Sequence, residues 1–369
     1  MRFAYFTHSL ASCWNHGNAH FLRGVLRDLV ARGHDVQAFE PAGAWSRQNL
    51  LADGGPAADA IWQDAYPELS SAIYQPGADL SGLVDGADVV IVHEWNEPAL
   101  VAAIGRLRRA GHRFRLLFHD THHRAASEPD AMRRYDLSAY DGVLAFGWAV
   151  AEIYRARGWG DRVFVWHEAA DTRLFHPPIT EHPRAGAVWI GNWGDGERTA
   201  ELEAFLFAPT AALGLSLEVY GVRYPEPALD MLARYGAQYR GWLPNPRAPE
   251  VFARHKMTVH VPRRFYATAL PGIPTIRVFE ALACGIPLVS APWHDTEALF
   301  TPGEDFLVAQ DGAEMQHHLA ALDADPALAT ALAAHGLATI GARHSCVHRV
   351  DELLAILDRL GAPRTMSAG

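Results

Sequence analysis

The sequence has little cysteine, no excess of basic charge and no long apolar run. Its three cysteines, Cys13, Cys284 and Cys346, are far apart and odd in number among 369 residues, so a disulfide framework is not indicated and a reducing cytoplasm is the expected location. No apolar stretch reaches the roughly 18 residues of a membrane span. The opening Met1-Arg2-Phe3-Ala4-Tyr5-Phe6-Thr7 reads as a strand, without the apolar core and cleavage site of a secretion signal. Lysine and arginine number 32 against 42 acidic residues, a formal charge of -10; this argues against a nucleic-acid coat but permits a local basic patch. Low-complexity tracts and short repeats are absent. So is a Gly-x-Gly-x-x-Gly loop after the first strand, which disfavours a dehydrogenase.

With 49% hydrophobic and 20% charged residues, the composition is that of a globular protein long enough for two domains. The 20 histidines are the one unusual count. Short buried-strand patterns alternate with helical ones throughout. Phe3 to Thr7, Val36 to Glu40, Val89 to Val92, Arg115 to Phe118, Val143 to Phe146 and Val163 to Trp166 form a first series. A Pro-containing stretch from His167 to about Arg184 reads as a linker. A second series follows: Ala187 to Ile190, Leu217 to Tyr220, Gln238 to Arg240, Thr258 to Val261, Leu288 to Ser290 and Phe306 to Val308. Val347, Val350, Leu353, Leu354, Leu357 and Leu360 mark a last amphipathic helix. Apolar strands covered by helices mean parallel sheets buried on both faces, hence two doubly wound, Rossmann-like α/β domains. Such sheets bind ligands beyond the carboxyl ends of their strands.

The stretch Pro271-Gly272-Ile273-Pro274-Thr275-Ile276-Arg277-Val278-Phe279-Glu280-Ala281-Leu282-Ala283-Cys284-Gly285-Ile286-Pro287 carries the most chemistry. A Pro/Gly loop opens a helix near Thr275, and the free N–H groups and dipole there suit a phosphate. Arg277 in the first turn opposes the dipole unless an anion is present. Glu280, one turn on, faces the same side and can accept two hydroxyls, as from a ribose. The plain alternative is a surface Arg277–Glu280 pair worth a few tenths of a kcal/mol.

Phe279 to Pro287 resembles the donor-site signature of GT-B glycosyltransferases of glycosyltransferase family four (glycosyl transferases group 1), and Arg-x-Phe-Glu-Ala is most similar to the CgeB-like branch. Gly33-His34-Asp35-Val36 and the helix opening at His344-Ser345-Cys346 occur in the family's order. The resemblance implies two facing Rossmann-like domains, an acceptor-binding one over 1–175 and a nucleotide-sugar-binding one over 176–343. It also implies that 344–369 form a helix crossing back to the N-terminal domain. Glu280 then matches the ribose-binding glutamate. A second family glutamate, near the donor sugar, falls on Gly272, where main-chain N–H groups of the Gly272–Thr275 loop are the expected substitute. The phosphate-binding stretch falls on Gly191 to Arg198, with Asn192 in place of its arginine. Arg198, Arg263, Arg264 and Arg277 are candidates for the charge, and Thr275 and Ile276 for the helix-end contacts. Trp242 follows a strand where the family grips the base, with core packing as its alternative.

In the N-terminal half, His119 in Phe118-His119-Asp120-Thr121-His122-His123 resembles the family's strand-end histidine near the reaction centre. A metal site here is disfavoured because the adjacent His122 and His123 are expected to point apart. His93 or Glu94 can bind or deprotonate an acceptor hydroxyl; the plain reading of that segment is Asn96 capping a helix that opens with Glu97 and Pro98. Gly17 and Asn18 resemble the family's glycine loop. His16 and His20 either line an acceptor pocket or lie on the surface. The run Arg106, Arg108, Arg109, Arg113 and Arg115 reads as a solvated face, with weak peripheral contact to anionic lipid as its alternative.

The resemblance therefore implies a metal-independent, retaining glycosyltransferase without cofactor, using a nucleoside diphosphate sugar as donor substrate. The acceptor is a glycan, lipid, protein or small molecule, and no nucleic acid is expected. A GT-B nucleotide-sugar epimerase, which needs paired acid/base carboxylates, and an inactive nucleotide-sugar-binding protein are the alternatives.

Overall fold

The computed structural model describes residues 1–361 apart from 9, 15, 16, 180–182 and 195. The contacts divide the chain into two units, one formed by Met1–Glu168 with the helix beginning at Cys346, the other by Ala169–Ser345. The proline-containing segment differs from a linker at its start. The Ala170 N–H donates to His344 O at 2.9 Å, and Ala169, Ala170 and Phe175 are buried.

The first unit is built on seven parallel strands, β1 (Arg2–Phe6), β2 (Asp35–Pro41), β3 (Ser71–Tyr74), β4 (Val89–His93), β5 (Arg115–Asp120), β6 (Gly142–Ala145) and β7 (Val163–Val165), in the order β3-β2-β1-β4-β5-β6-β7. The order reverses between β1 and β4, as in a doubly wound sheet. The central strands β1, β4, β5 and β6 are almost wholly buried because their residues are apolar on both faces. The helix Asn18–Ala31 buries Phe21, Leu22, Val25, Leu26 and Leu29, each worth roughly 1.5–3 kcal/mol on full burial. It stops where Gly33 takes φ +80°, a conformation glycine adopts at little cost.

Two buried charges fix the loop after β1. Glu40 accepts the N–H groups of Leu10 (2.8 Å) and Ala11 (3.2 Å) and the Ser71 hydroxyl. Arg23 donates to the carbonyls of Leu10 (2.8 Å) and Ala11 (3.0 Å). The last helix, Cys346–Leu360, belongs to this unit and lies on Asn18–Ala31. Arg32 pairs with Asp351 at 2.6 Å, and Trp166 Nε1 donates to Arg349 O at 2.8 Å.

The arginine run is not a uniformly solvated face. Arg108 is buried beside Asp141 at 3.6 Å, Arg109 reaches Asp136 at 3.5 Å, and Arg115 donates to Gly361 O at 2.7 Å.

The second unit carries β8 (Ala187–Ile190), β9 (Leu217–Tyr220), β10 (Gln238–Gly241), β11 (Met257–His260), β12 (Leu288–Ser290) and β13 (Leu307–Val308), in the order β10-β9-β8-β11-β12-β13, also all parallel. Its order reverses between β8 and β11. Among the described residues no helix is long and apolar enough to cross a membrane.

Candidate active site

In the second unit, the loop after β8, the loop after β11 and the helix Ile276–Ala283 meet at the switch point of the sheet. Arg198 stands behind this point rather than open to it. Its guanidinium donates to Val261 O (2.7 Å), Asn192 O (2.6 Å) and Trp193 O (3.5 Å) and lies 5.1 Å from the Trp189 ring. It therefore clamps two loops together, a correction to its reading as an open phosphate ligand. Burial, and then the charges of Arg263 and Arg277, lower its pKa to about 10. It still carries a proton at neutral pH. Asn192, in turn, accepts the Val222 N–H through Oδ1 at 3.0 Å.

Arg263 lies 3.4 Å from Glu197 and is about one-fifth exposed. Arg264 makes a surface pair with Glu201 at 3.0 Å, so it is the plain alternative that holds for that residue. Arg277 pairs with Glu280, as the i,i+3 spacing allows, but not on a surface. The Glu280 side chain is fully buried, and its other oxygen accepts the Asn245 amide at 2.6 Å. Burial raises the Glu280 pKa against the opposing pull of Arg277 and Asn245. The expectation of an open carboxylate accepting two hydroxyls is thereby corrected: a ribose here would have to displace or share these donors. Asn245, on the loop after β10, is a contact the sequence pattern did not signal. Trp242 lies on the same loop, half-buried, with its buried Nε1 lacking a hydrogen-bond partner among the described residues.

The helix Ile276–Ala283 opens at Thr275 without a side-chain cap and without an acid in its first turn, so its first N–H groups have no intrahelical acceptor. The Thr275 hydroxyl is directed instead to His260 Nε2 at 3.0 Å. His260 Nδ1 lies 2.9 Å from Ser290 Oγ, whose own proton goes to Ala291 O. Nδ1 is accordingly the donor, Nε2 accepts, and Thr275 is fixed with its lone pairs outward. Burial first, then Arg198 and Arg277, lower the His260 pKa to about 3, which keeps the ring neutral. Ile276 is buried. The Gly272 N–H already donates to His294 O at 2.8 Å, so it is not the open donor expected of that loop.

In the first unit, His93 and His119 are register partners at the ends of β4 and β5. His93 Nε2 lies 2.9 Å from the Asn18 amide and 3.0 Å from the Thr121 hydroxyl, which joins Asn18, His93 and Thr121 in one cluster. Gly17 precedes the helix at φ -66°, a conformation open to any residue, so nothing there demands a glycine. His20 is fully buried rather than a surface residue; His16 lies outside the described residues. Asn96 is not the helix cap. It ties β1 to β4 by donating to Phe6 O and His93 O, both at 2.9 Å, while Glu97 holds the cap position before Pro98.

His119 is enclosed by Tyr5, Phe21 and Trp166. Its Nδ1 meets the Tyr5 hydroxyl at 2.5 Å. Burial lowers its pKa to about 3 and raises that of Tyr5. Tyr5 is thus the donor, the neutral ring keeps its proton on Nε2, and that atom has no hydrogen-bond partner among the described residues.

Glu94 and Asp120 form a buried carboxylate pair beside Arg124. Arg124 donates to Glu94 Oε2 at 2.9 Å and stacks 4.8 Å from the Trp95 ring. Asp120 accepts the Tyr154 hydroxyl at 2.8 Å and the His122 N–H at 3.0 Å. Burial raises both pKa values, that of Asp120 to about 6. The rings of His122 and His123 lie 4.0 Å apart, packed together rather than pointing apart. Among the described residues no three His, Cys, Asp or Glu are grouped to hold a metal ion.

Two parallel, doubly wound sheets of this kind are the GT-B architecture, and solved glycosyltransferases share it over nearly their whole length. Sucrose-phosphate synthase from Thermosynechococcus elongatus is 15% identical at TM-score 0.66, covering 98% of this chain and 99% of its own. Anabaena HepE, solved with UDP-glucose, is 13% identical at TM-score 0.68, with coverages of 97% and 100%. T4 phage BGT, solved with its UDP-glucose substrate, is 12% identical at TM-score 0.60, with coverages of 98% and 99%. At these identities the likeness establishes the fold. More particularly, residues 198–355 match the model of the glycosyl transferase-like family. No curated protein sequence matches the chain.

Proposed function

We propose that the protein transfers a sugar, with retention and without a resident metal, from a nucleoside diphosphate sugar to an acceptor. The observation that carries this reading is the gathering of Arg198, Arg263 and Arg277 beside an uncapped helix start at a sheet switch point. Fixed cations and N–H dipoles stabilise the charge that grows on a departing diphosphate. In this reading Arg263, Arg277, Thr275 and the Ile276 N–H receive the diphosphate, and Arg198 supports them from behind. Glu280 takes the ribose and Trp242 the base. Asn18 and His93 are the first unit's contribution to the acceptor, with His119 positioning His93 from 5.3 Å away. Retention rests on the family resemblance, as does placement in the CgeB-like branch.

Titration calorimetry with UDP, GDP, ADP and dTDP tests the reading first. One of them binds in the micromolar to millimolar range; absence of binding by all four at millimolar concentration overturns the donor site. Donor-consumption assays in the presence of a chelator then test metal independence, with full loss of turnover as the contrary result. The epimerase alternative needs a carboxylate pair open to substrate, and the Glu94–Asp120 pair is fully enclosed. Recovery of an epimerised donor sugar would reinstate it. Binding without consumption would mark an inactive nucleotide-sugar-binding protein.

A further inference from the structure

We infer that the second unit carries a further ligand site, a cavity at the edge of its sheet opposite the candidate donor site, which takes an aliphatic chain ending in a single carboxylate. Arg184, Lys256 and Pro287 line this cavity and stand just before β8, β11 and β12. The candidate donor residues lie beyond the carboxyl ends of the same sheet, so the two sites are separate and the inference does not rest on the donor reading. The cavity measures about 450 Å³, within the roughly 300–1,000 Å³ of small-molecule sites.

Its walls are aliphatic. The helix Pro326–Arg343 lines it with Ala329, Ala333 and Leu337, four residues apart along one face. Pro177 and Leu322 add further apolar surface, and no aromatic ring lines the cavity among the described residues. A flexible aliphatic chain therefore matches these walls, whereas an aromatic ligand finds no ring to stack on. The charge is equally specific. Lys256 Nζ donates to Asp323 Oδ1 at 2.6 Å and is neutralised in place. Arg184 donates through Nη1 to Gly285 O at 3.1 Å, just past the end of the helix Ile276–Ala283, where the helix dipole favours a cation. Its guanidinium meets no carboxylate among the described residues, so one cation is left in surplus at the cavity. Gly285 has φ +61°, and a Cβ there would lie 3.1 Å from Pro177 Cγ. Pro177 is thus seated on the turn that holds Arg184, which brings the cation and the apolar wall together. A guanidinium has most of its N–H donors left after one hydrogen bond, and its planar fork matches a carboxylate.

Titration calorimetry with decanoate and with 1-decanol, each below its limit of free solution, tests the site. The wild type should bind one decanoate per chain, with the alcohol about tenfold weaker, the preference expected of a charge-assisted pair. Arg184→Gln should abolish that preference and keep the binding of the alcohol. Ala333→Phe should abolish binding of both by filling the cavity, and Thr330→Phe, at an exposed position of the same lining, repeats the test should the first variant not fold, as judged by thermal melting. The inference is overturned if the wild type binds neither probe or binds both equally, if Arg184→Gln keeps the preference, or if a folded phenylalanine variant binds undiminished. Attachment to phosphatidylglycerol vesicles without decanoate binding would also overturn it, as a contact with a lipid surface rather than a site for a single chain.

Discussion

Replacing Arg198 by methionine separates a loop clamp from a phosphate ligand. The methionine keeps most of the stem that packs near Trp189 and removes the guanidinium. Two strong bonds, to Val261 O and Asn192 O, are lost along with the longer one to Trp193 O. Bonds from a charged donor are worth about 1.5–3 kcal/mol each, so the two strong ones sum to about 3–6 kcal/mol. Against this stands the relief of a poorly solvated charge. A pKa lowered from 12.5 to about 10 corresponds to about 3.4 kcal/mol at 1.36 kcal/mol per unit. The difference is about 0–3 kcal/mol, and loss of the third, longer bond to Trp193 O pushes it toward the upper part of that range. Urea unfolding of Arg198→Met should therefore show a stability loss of about 1–3 kcal/mol, with nucleotide affinity weakened because both loops loosen. A variant with unchanged or increased stability that nevertheless loses nucleotide would refute the clamp and restore Arg198 as a direct ligand.

Glu280→Ala should weaken nucleoside diphosphate binding by about 1.5–3 kcal/mol, roughly 10- to 150-fold, the worth of hydrogen bonds to a charged group; unchanged calorimetric affinity in a folded variant removes Glu280 from the site. His119→Ala empties a ring-sized space in an aromatic cage and should cost about 2–4 kcal/mol of stability, while lowering turnover more than donor affinity. With its pKa near 3, His119 stays neutral above pH 4, so the wild-type pH–rate profile should lack a limb that His119→Ala abolishes. Asp120 has a folded pKa raised from 3.8 to about 6. Its contribution to stability is fully present below the unfolded value and is lost as pH rises through 6, by up to about 3 kcal/mol. Glu94, Arg124, Tyr154 and the His122 N–H face it, and Asp120→Asn should gain on the wild type between pH 4 and 8 in urea titrations; a constant difference would refute the assignment.

The sheets were legible because β1, β4, β5, β6, β8, β11 and β12 are short apolar runs buried on both faces. The strand β3 was not. As an edge strand it is half exposed, and Ser71-Ala72-Ile73-Tyr74 carries no continuous apolar signal. His93 and His119 could be placed at strand ends by counting along apolar runs, and their pairing across β4 and β5 follows from parallel register. The partners that close the sites were not readable. Asn245 reaches Glu280 across 35 positions, and His260 reaches Thr275 and Ser290 on two other elements. Nor does a local pattern separate Arg198 from Arg263. Each is an arginine in a loop following a strand, and only the three-dimensional position of the neighbouring carbonyls turns one into a clamp.

That distinction has a consequence for the order of recognition. Arg198, Arg263 and Arg277 face two carboxylates, Glu197 and Glu280, and three charges against two leave one cation in surplus. The helix start adds roughly half a charge of the same sign. A diphosphate carries more negative charge than this surplus, so it competes with Glu280 for Arg277. Glu280, fully buried and with its pKa raised by that burial, then needs new donors, and ribose hydroxyls are the ones a nucleotide brings. Ribose recognition is accordingly coupled to the diphosphate. Uridine, or the nucleoside of whichever base is bound, should gain little from Glu280, because Arg277 and Asn245 still occupy its oxygens. Calorimetry with nucleoside, monophosphate and diphosphate on wild type and Glu280→Ala should show a loss confined to the phosphorylated ligands and largest for the diphosphate. An equal loss for the bare nucleoside would mean that Glu280 is open to ribose from the start, and the coupling through Arg277 would not exist.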